Sequence, residues 1–326
     1  MNALEKKFLE QIRTRRLVND GEKVLVAVSG GPDSMAMLSL FCSVQPVLHC
    51  KLAVAHCNFQ LRGTESNADE SFVKDYCRLL DLECFVERFD TLACAKVWKK
   101  SIEETARILR YRFFDKVMAE KGFSRIATGH HVNDNAETIL FNLFRGVSIP
   151  GLKGIRACHG KIIRPMLLFH KAEITAYLKE KGIASRTDAS NLVNDYDRNF
   201  IRNRVIPLIE ERFPYKLMPS LQRLSEQAGE LEEFLELYFD NLVARESGLT
   251  LTDGKLDVQL LKRLMIFEQK EVFKRALQDL DVPVDAQTLQ KLVDLLNTQS
   301  GKMVMAGGQL RVYWKGVSLL FVRGTP

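Results

Sequence analysis

Six consecutive residues, Ser29-Gly30-Gly31-Pro32-Asp33-Ser34, hold the densest chemistry in this chain. Two glycines let a backbone approach an anion closely, and two hydroxyls add donors. The apolar run Lys23–Val28 precedes the string, and a helical pattern from Ser34 follows it. A turn at the carboxyl end of a buried strand is where open α/β sheets bind ligands. Loop amides and a first helical turn can point together at phosphate oxygens. Asp33 adds a carboxylate that could hold a metal ion, Mg²⁺, bridging those phosphates. The string is neither G-x-x-x-x-G-K-[ST] nor G-x-G-x-x-G, and no lysine is aimed at a terminal phosphate, so γ-phosphoryl transfer is not the natural reading. A bare S-G-G would be an ordinary turn; the full string in this setting reads as an anion site.

Three further constellations accompany it. His130, His131, Asp134 and Glu137 fall in one strand-to-helix junction. Asp134 and Glu137 share a helix face if the helix begins near Asn133. Two carboxylates there can hold Mg²⁺ or an ammonium group. The bland alternative is an acidic helix start meeting its dipole. Zinc on the histidine pair would need another close ligand, and no H-E-x-x-H exists. Arg107 and Arg110 share a second helix face, and arginine forks suit phosphate and carboxylate. Their alternative, favoured for Arg112, is a solvated face, with Glu103 supporting Arg107. Arg198, Arg202 and Arg204 crowd a third helix start, where like charges repel unless an anion such as an RNA backbone lies over them. Ion pairing with Asp195, Asp197 or Glu210 would serve equally.

The string at Ser29–Ser34 resembles the signature S-G-G-x-D-S of the PP-loop family, the N-type ATP pyrophosphatases. Four other segments narrow the resemblance to the tRNA(Ile)-lysidine synthase branch. They are Ala55–Gly63, Ile102–Arg112, Ala127–Thr138 leading to Arg145-Gly146, and Asp188–Asn191 followed by Arg198–Arg204. The likeness covers about residues 20–212 and thins from 213 onward. It implies an AMP-forming ligase. ATP binds on Ser29, Gly30, Gly31, Pro32, Asp33 and Ser34, with His56 beside it. The wobble cytidine of a CAU-anticodon isoleucine tRNA is adenylated, pyrophosphate leaves, and free L-lysine displaces AMP. By the same resemblance Asp134 and Glu137 recognise or deprotonate lysine, His130 belongs to the adenylate site, and Arg107 or Arg110 lies beside the substrate with Glu104 as partner. One departure stands out: Phe59 occupies a position where the family often has a second histidine. Phe59 could instead stack on a base. Two other readings stay open, a tRNA thiolase and a non-catalytic nucleotide-binding module. The absence of C-x-x-C disfavours the first.

These side chains need a scaffold. Short apolar runs at Lys23–Val28, Lys51–His56, Glu83–Glu87 and Arg125–Thr128 alternate with helical patterns at Ser34–Phe41, Asn67–Leu80 and Ile102–Lys121. Strands separated by helices predict an open, mainly parallel, doubly wound α/β sheet. After Pro214 the pattern becomes helical: Leu221–Ala244, Leu256–Leu280 and Ala286–Asn297. Short strands follow at Lys302–Met305, Gln309–Trp314 and Val317–Val322. We therefore expect a catalytic domain over 1–212 and a mostly helical accessory domain over 213–326 that positions tRNA. Tyr313, Trp314 and Phe321 are expected in its core.

Composition agrees with a globular enzyme. The 326 residues are 46% hydrophobic and 27% charged, an ordinary balance. No run reaches the roughly 18 apolar residues of a membrane span, and no secretory h-region opens the chain, which points to the cytoplasm without a membrane partner. The seven cysteines include no C-x-x-C and read as small buried hydrophobes. Net charge is +6, and residues 145–212 hold 13 basic against 7 acidic side chains, a footprint that suits a polyanion. A homodimer is compatible with all of this.

Overall fold

The computed structural model describes residues 1–147, 149–186, 197–308 and 310–323. By internal packing the chain divides into two units, Met1–Gly229 and Glu230–Pro326. The motif Asp188–Asn191, Asp195, Gln309 and the final Gly324-Thr325-Pro326 lie outside the described residues.

In the first unit the expected strands form β1 (Lys23–Ala27), β2 (Lys51–Asn58), β3 (Cys84–Arg88) and β4 (Arg125–Ala127). A short hairpin, β5 (Cys158–His159) and β6 (Ile162–Ile163), adds to them inside the basic region. Among the described residues the order is β3-β2-β1-β4-β6-β5. All pairings are parallel except β5 with β6, an antiparallel edge. The chain runs outward from β1 to β3, then returns to place β4 on the other side of β1. The strand order therefore reverses between β1 and β4, where such sheets bind ligands.

Alternation along β1 explains the helices on both faces. Val24 and Val26 are fully buried on one face with Phe8 and Ile12 of α1 (Ala3–Thr14), Met35 and Phe41 of α2 (Pro32–Leu48), and Ile174 of α7 (Lys171–Lys181). Leu25 faces the other way, with Leu109, Phe113 and Val117 of α5 (Ile102–Lys121). Neither face is left to water, as a parallel sheet requires. Three more helices complete the layers used below: α3 (Thr64–Leu79), α4 (Thr91–Trp98) and α6 (Val132–Phe144).

A buried carboxylate ties α1 to this sandwich. Glu5 accepts from Asn2 N–H at 2.7 Å and Ser43 Oγ at 3.0 Å, and meets Lys181 Nζ at 2.7 Å. Burial alone would raise its pKa, but these donors outweigh it and hold the carboxyl at about 2. A carboxyl whose pKa falls on folding binds fewer protons in the native state. Its contribution is therefore present above about pH 4.5 and is lost as pH falls toward 2. We expect the melting temperature to drop across that window. Glu5→Gln should start lower at neutral pH and show a shallower acid slope, which a thermal-melting series against pH would read. Glu70, also held at about 2, leaves a residual slope.

After α7 and the segment outside the described residues comes α8 (Asp197–Phe200), then a π-helical turn, Ile201–Val205, then α9 (Ile206–Arg212). Ile201 and Ile206 pack with Ala136, Ile139 and Leu140 of α6 and with Leu221. A π-turn inserts an extra residue per turn and changes where the following side chains face. Here Arg202 lies within that turn.

The helix α10 (Leu217–Arg245) begins in the first unit and ends in the second. The helix expected over Leu256–Leu280 is not continuous. It resolves into strand β7 (Lys255–Asp257), α11 (Val258–Arg263) and α12 (Ile266–Asp279). Local hydrogen bonding makes the breaks. Asp257 accepts from Gln259 N–H at 2.7 Å and Leu260 N–H at 3.0 Å, capping α11. Leu264 is extended, and Glu268 accepts from Met265 N–H at 2.7 Å to restart the helix. The last helix, α13 (Ala286–Leu296), is followed by β8 (Met303–Ala306), β9 (Leu310–Lys315) and β10 (Ser318–Arg323). These join β7 in an antiparallel sheet ordered β7-β10-β9-β8. Trp314 and Phe321 are buried in this unit's core.

Candidate active site

The loop from β1 to α2 is braced from within. Ser29 N–H donates to Ser34 Oγ at 3.1 Å, and Ser34 Oγ donates to the Gly31 carbonyl at 2.9 Å. The two hydroxyl oxygens are 3.2 Å apart. Gly30 sits at φ +89°, a conformation side-chain-bearing residues rarely adopt. Pro32 sets the first turn of α2, and no side chain caps the helix at Gly31. Its leading amides are thus available to an anion. Gly129, after β4, comes close to the same turn. A Cβ there would lie 3.4 Å from Asp33 backbone atoms and from the Ser34 nitrogen.

One chain of charges runs from this loop to α6. Lys171 Nζ lies 2.5 Å from Asp33 Oδ1. His131 caps α6, with Nδ1 accepting from Asn133 N–H at 3.2 Å, and its Nε2 is 3.6 Å from both Asp33 Oδ1 and Asp134 Oδ2. Asp134 Oδ2 accepts from His131 N–H at 2.9 Å. Arg202 then closes on the acidic face. Its Nε and Nη2 meet Glu137 Oε1 and Oε2 at 2.6 and 2.7 Å, and Nη2 is 3.4 Å from Asp134 Oδ1.

Burial pushes the Glu137 carboxyl above its ordinary value, against the pull of Arg202. Asp33 moves the other way. Burial would raise it, but His131 and Lys171 bring it below the usual carboxylate value.

A second cluster faces the first. Asp69 Oδ2 accepts from Arg62 Nη2 at 2.6 Å, and Oδ1 accepts from Arg186 Nε. Arg186 N–H also donates to the Gly30 carbonyl at 2.9 Å. The two clusters and the loop line one cleft of about 560 Å³, bounded also by Asn133 and Ile206.

The sequence-derived candidates divide on this cleft. Ser29, Gly31, Pro32, Asp33, Ser34, Asp134, Glu137 and Arg202 line it. Gly30 shapes the loop from behind. His56, His130, Arg107, Arg110, Arg198 and Arg204 do not line it. His56 is buried, with Nδ1 2.8 Å from the Val28 carbonyl oxygen and Nε2 without a partner. Burial lowers its pKa. His130 Nδ1 is 3.0 Å from Thr128 Oγ1, and burial takes this ring down to about 4. It is therefore neutral at physiological pH. Arg107 covers Tyr111 at 5.2 Å, and Arg110 covers Phe59 at 5.4 Å. Phe59 also stacks on Phe89 at 5.6 Å, so its ring is already engaged by protein. Arg198 and Arg145 both lie over Phe141, and Arg204 is exposed.

Lys171, Asp69 and Arg186 line the cleft without belonging to any of the sequence-derived candidates, and His131, not His130, is the imidazole that faces it. Arg62 was visible only as part of a motif. Lys171 carries no local signal, because its partner lies 138 residues away.

Among the described residues no group of three or more His, Cys, Asp or Glu converges on one point. A metal held by protein alone does not fit this donor set. One carboxylate beside a phosphate loop does fit Mg²⁺, which keeps waters and takes one or two carboxylates plus phosphate oxygens.

A model of the PP-loop domain matches residues 2–209. The chain is 57% identical over 312 residues to a tRNA(Ile)-lysidine synthase from Chlorobaculum tepidum, covering 96% of this chain and 94% of that one. Against the tRNA(Ile)-lysidine synthase of Bacteroides thetaiotaomicron the identity is 39%, over 72% of this chain and 53% of the other. A Clostridium perfringens relative of the same name is 36% identical over 72% and 50%. The chain thus spans nearly all of the first and about half of the other two. Among solved structures, the U34-tRNA thiolase NcsA from Methanococcus maripaludis superposes with a TM-score of 0.56 at 19% identity, over 68% of this chain and 78% of that one. That likeness is one of fold.

Proposed function

The chain belongs to the PP-loop family and, within it, to the tRNA(Ile)-lysidine synthases, and from that premise we propose that it ligates free L-lysine to the wobble cytidine of a CAU-anticodon isoleucine tRNA. The observation that carries this reading is that one cleft holds both an anion-binding loop and a carboxylate pair already seating a cation, the Arg202 guanidinium.

In this reading the cytidine O2 attacks the α-phosphorus of ATP and pyrophosphate leaves. The lysine ε-amine then attacks the activated ring carbon and AMP leaves. The uncapped amides of α2 and the Ser29 and Ser34 hydroxyls stabilise charge as it gathers on the phosphates. Asp33 would hold Mg²⁺, which supplies neutralising charge between phosphate groups. Asp134 and Glu137 receive the ε-ammonium. A carboxylate made more basic by burial suits Glu137 to accept its proton. Arg198 and Arg204, exposed on the basic stretch, meet the RNA backbone. Arg107, Arg110 and His130 do not line the cleft, so their roles beside the substrate and the adenylate rest on the family resemblance alone, while His56 supports the loop through Val28. The C-terminal region, which has a hydrophobic core of its own, is assigned the positioning of tRNA.

Labelled lysine offered with unmodified CAU-anticodon isoleucine tRNA, with and without ATP, tests the proposal. ATP-dependent label in that tRNA, and none in methionine tRNA with the same anticodon, is the expected result. No label, with AMP formed when a sulfur donor replaces lysine, would overturn it in favour of a thiolase. No label and no AMP would favour a binding-only role.

A further inference from the structure

Two arginines share one ring on α6. The guanidinium carbons of Arg145 and Arg198 stand 5.2 and 5.3 Å from the centre of the Phe141 ring. Among the described residues neither forms an ion pair, nor does Arg204, whereas Arg202 in the same run is engaged by Glu137. Apolar side chains stand uncovered in the same stretch. Phe144 is 63% exposed, and Leu143, Val147 and Ile149 are exposed with it. Single exposed apolar residues are ordinary, but a run of them beside unpaired cations marks a binding surface. Helical spacing puts Phe141 four residues after Glu137, and Phe144 three residues after Phe141, along one side of α6. Phe144 therefore lies about 10 Å along the helix from Glu137.

We propose that Phe144 is a stacking platform for an unpaired base next to the reacting cytidine, and that Arg145 and Arg198 hold its flanking phosphates. This rests on the tRNA reading above. Bases of single-stranded loops splay out and stack on aromatic rings, and arginine forks match phosphate oxygens. The reacting base meets the lysine amine at Asp134 and Glu137, so its neighbour on an unstacked strand falls within reach of Phe144. Phe59 is engaged by Arg110 and Phe89, which leaves this role to a ring with an open face. Charge argues against a second copy of the chain as the occupant. A two-fold contact presents the same surface from both sides, and Arg145, Arg198 and Arg204 would then meet like charges. An RNA strand brings the opposite charge.

Fluorescence anisotropy of labelled, unmodified CAU-anticodon isoleucine tRNA, titrated with the full chain at several salt concentrations, provides the test. Phe144→Ala should weaken binding about fivefold to a hundredfold, the effect of losing one base stack, with the salt dependence unchanged. Phe144→Tyr should bind as wild type does. Arg145→Gln and Arg198→Gln should each lower the salt slope by about 0.7, one single-strand phosphate contact. Phe200 is an exposed ring two residues after Arg198, turned by helix geometry away from Phe141, and Phe200→Ala should change nothing. A tRNA made abasic at one neighbour of the wobble cytidine should bind wild type as weakly as Phe144→Ala binds the intact tRNA. Phe144→Ala should bind that abasic tRNA no more weakly still. Wild-type affinity in Phe144→Ala, an equal loss in Phe200→Ala, or the same loss with intact and abasic tRNA would overturn the platform. So would a dimer in solution that Phe144→Ala dissociates with tRNA binding unchanged, which would assign the surface to a second copy. A wild-type chain that does not bind the intact tRNA would remove the tRNA reading itself.

Discussion

Replacing Asp33 with alanine should leave a folded protein that no longer turns over. Asp33 lies in the first turn of α2, where a carboxylate gains about 0.3–1 kcal/mol from the helix dipole. Its partner Lys171 keeps 42% of its side-chain surface exposed, so losing the pair returns that ammonium to water at little cost. The expected loss of stability is therefore small. The catalytic loss is not. If Asp33 holds the divalent ion at the phosphates, several kcal/mol of charge stabilisation goes with it, or about a hundredfold to ten-thousandfold in rate. Melting temperature and ATP-dependent pyrophosphate release, measured on one preparation, separate the two effects. Wild-type turnover in Asp33→Ala would refute the metal role.

Glu137→Ala should raise the KM for lysine by about tenfold to a hundredfold, the worth of a hydrogen bond between charged groups. The KM for ATP should move by less than about threefold. Glu137 is 4% exposed and grips Arg202 with both oxygens, so removing it leaves a guanidinium partly unpaired. Some stability will be lost. Glu137→Gln keeps the shape and separates packing from charge. If the assignment holds, Gln should cost nearly as much lysine affinity as Ala while melting closer to wild type. Equal shifts in both KM values would sink the lysine role.

Arg202 carries a lesson about reading charge from sequence. Arg198, Arg202 and Arg204 form one basic run, and a run of that kind suggests a single polyanion. The π-turn at Ile201–Val205 breaks the equivalence. Ile201 and Ile206 bury against α6, which brings Arg202 onto Glu137 and leaves Arg204 exposed. The pairing partner was not Asp197 or Glu210, close in sequence, but a carboxylate 65 residues away.

What the sequence determined by itself was local and periodic. The β1 run, the two glycines and the Pro32 start of α2 specify a strand, a left-handed turn and a helix through short-range sterics. Alternation of Val24, Leu25 and Val26 specifies a strand covered on both faces, hence the doubly wound sheet. Asp134 and Glu137 fall on one helix face by spacing alone. Tertiary structure decided which charges meet. Lys171 with Asp33, Arg186 with Asp69 and Arg202 with Glu137 each join residues 65 to 138 positions apart. The return of β4 beside β1 brings His131, not His130, between Asp33 and Asp134. The break near Leu264 likewise lay beyond the apolar pattern of Leu256–Leu280, because hydrogen bonds from Asp257 and Glu268 made it. Periodicity reports which face is buried. It is silent on which polar partner a distant segment will present to the open one.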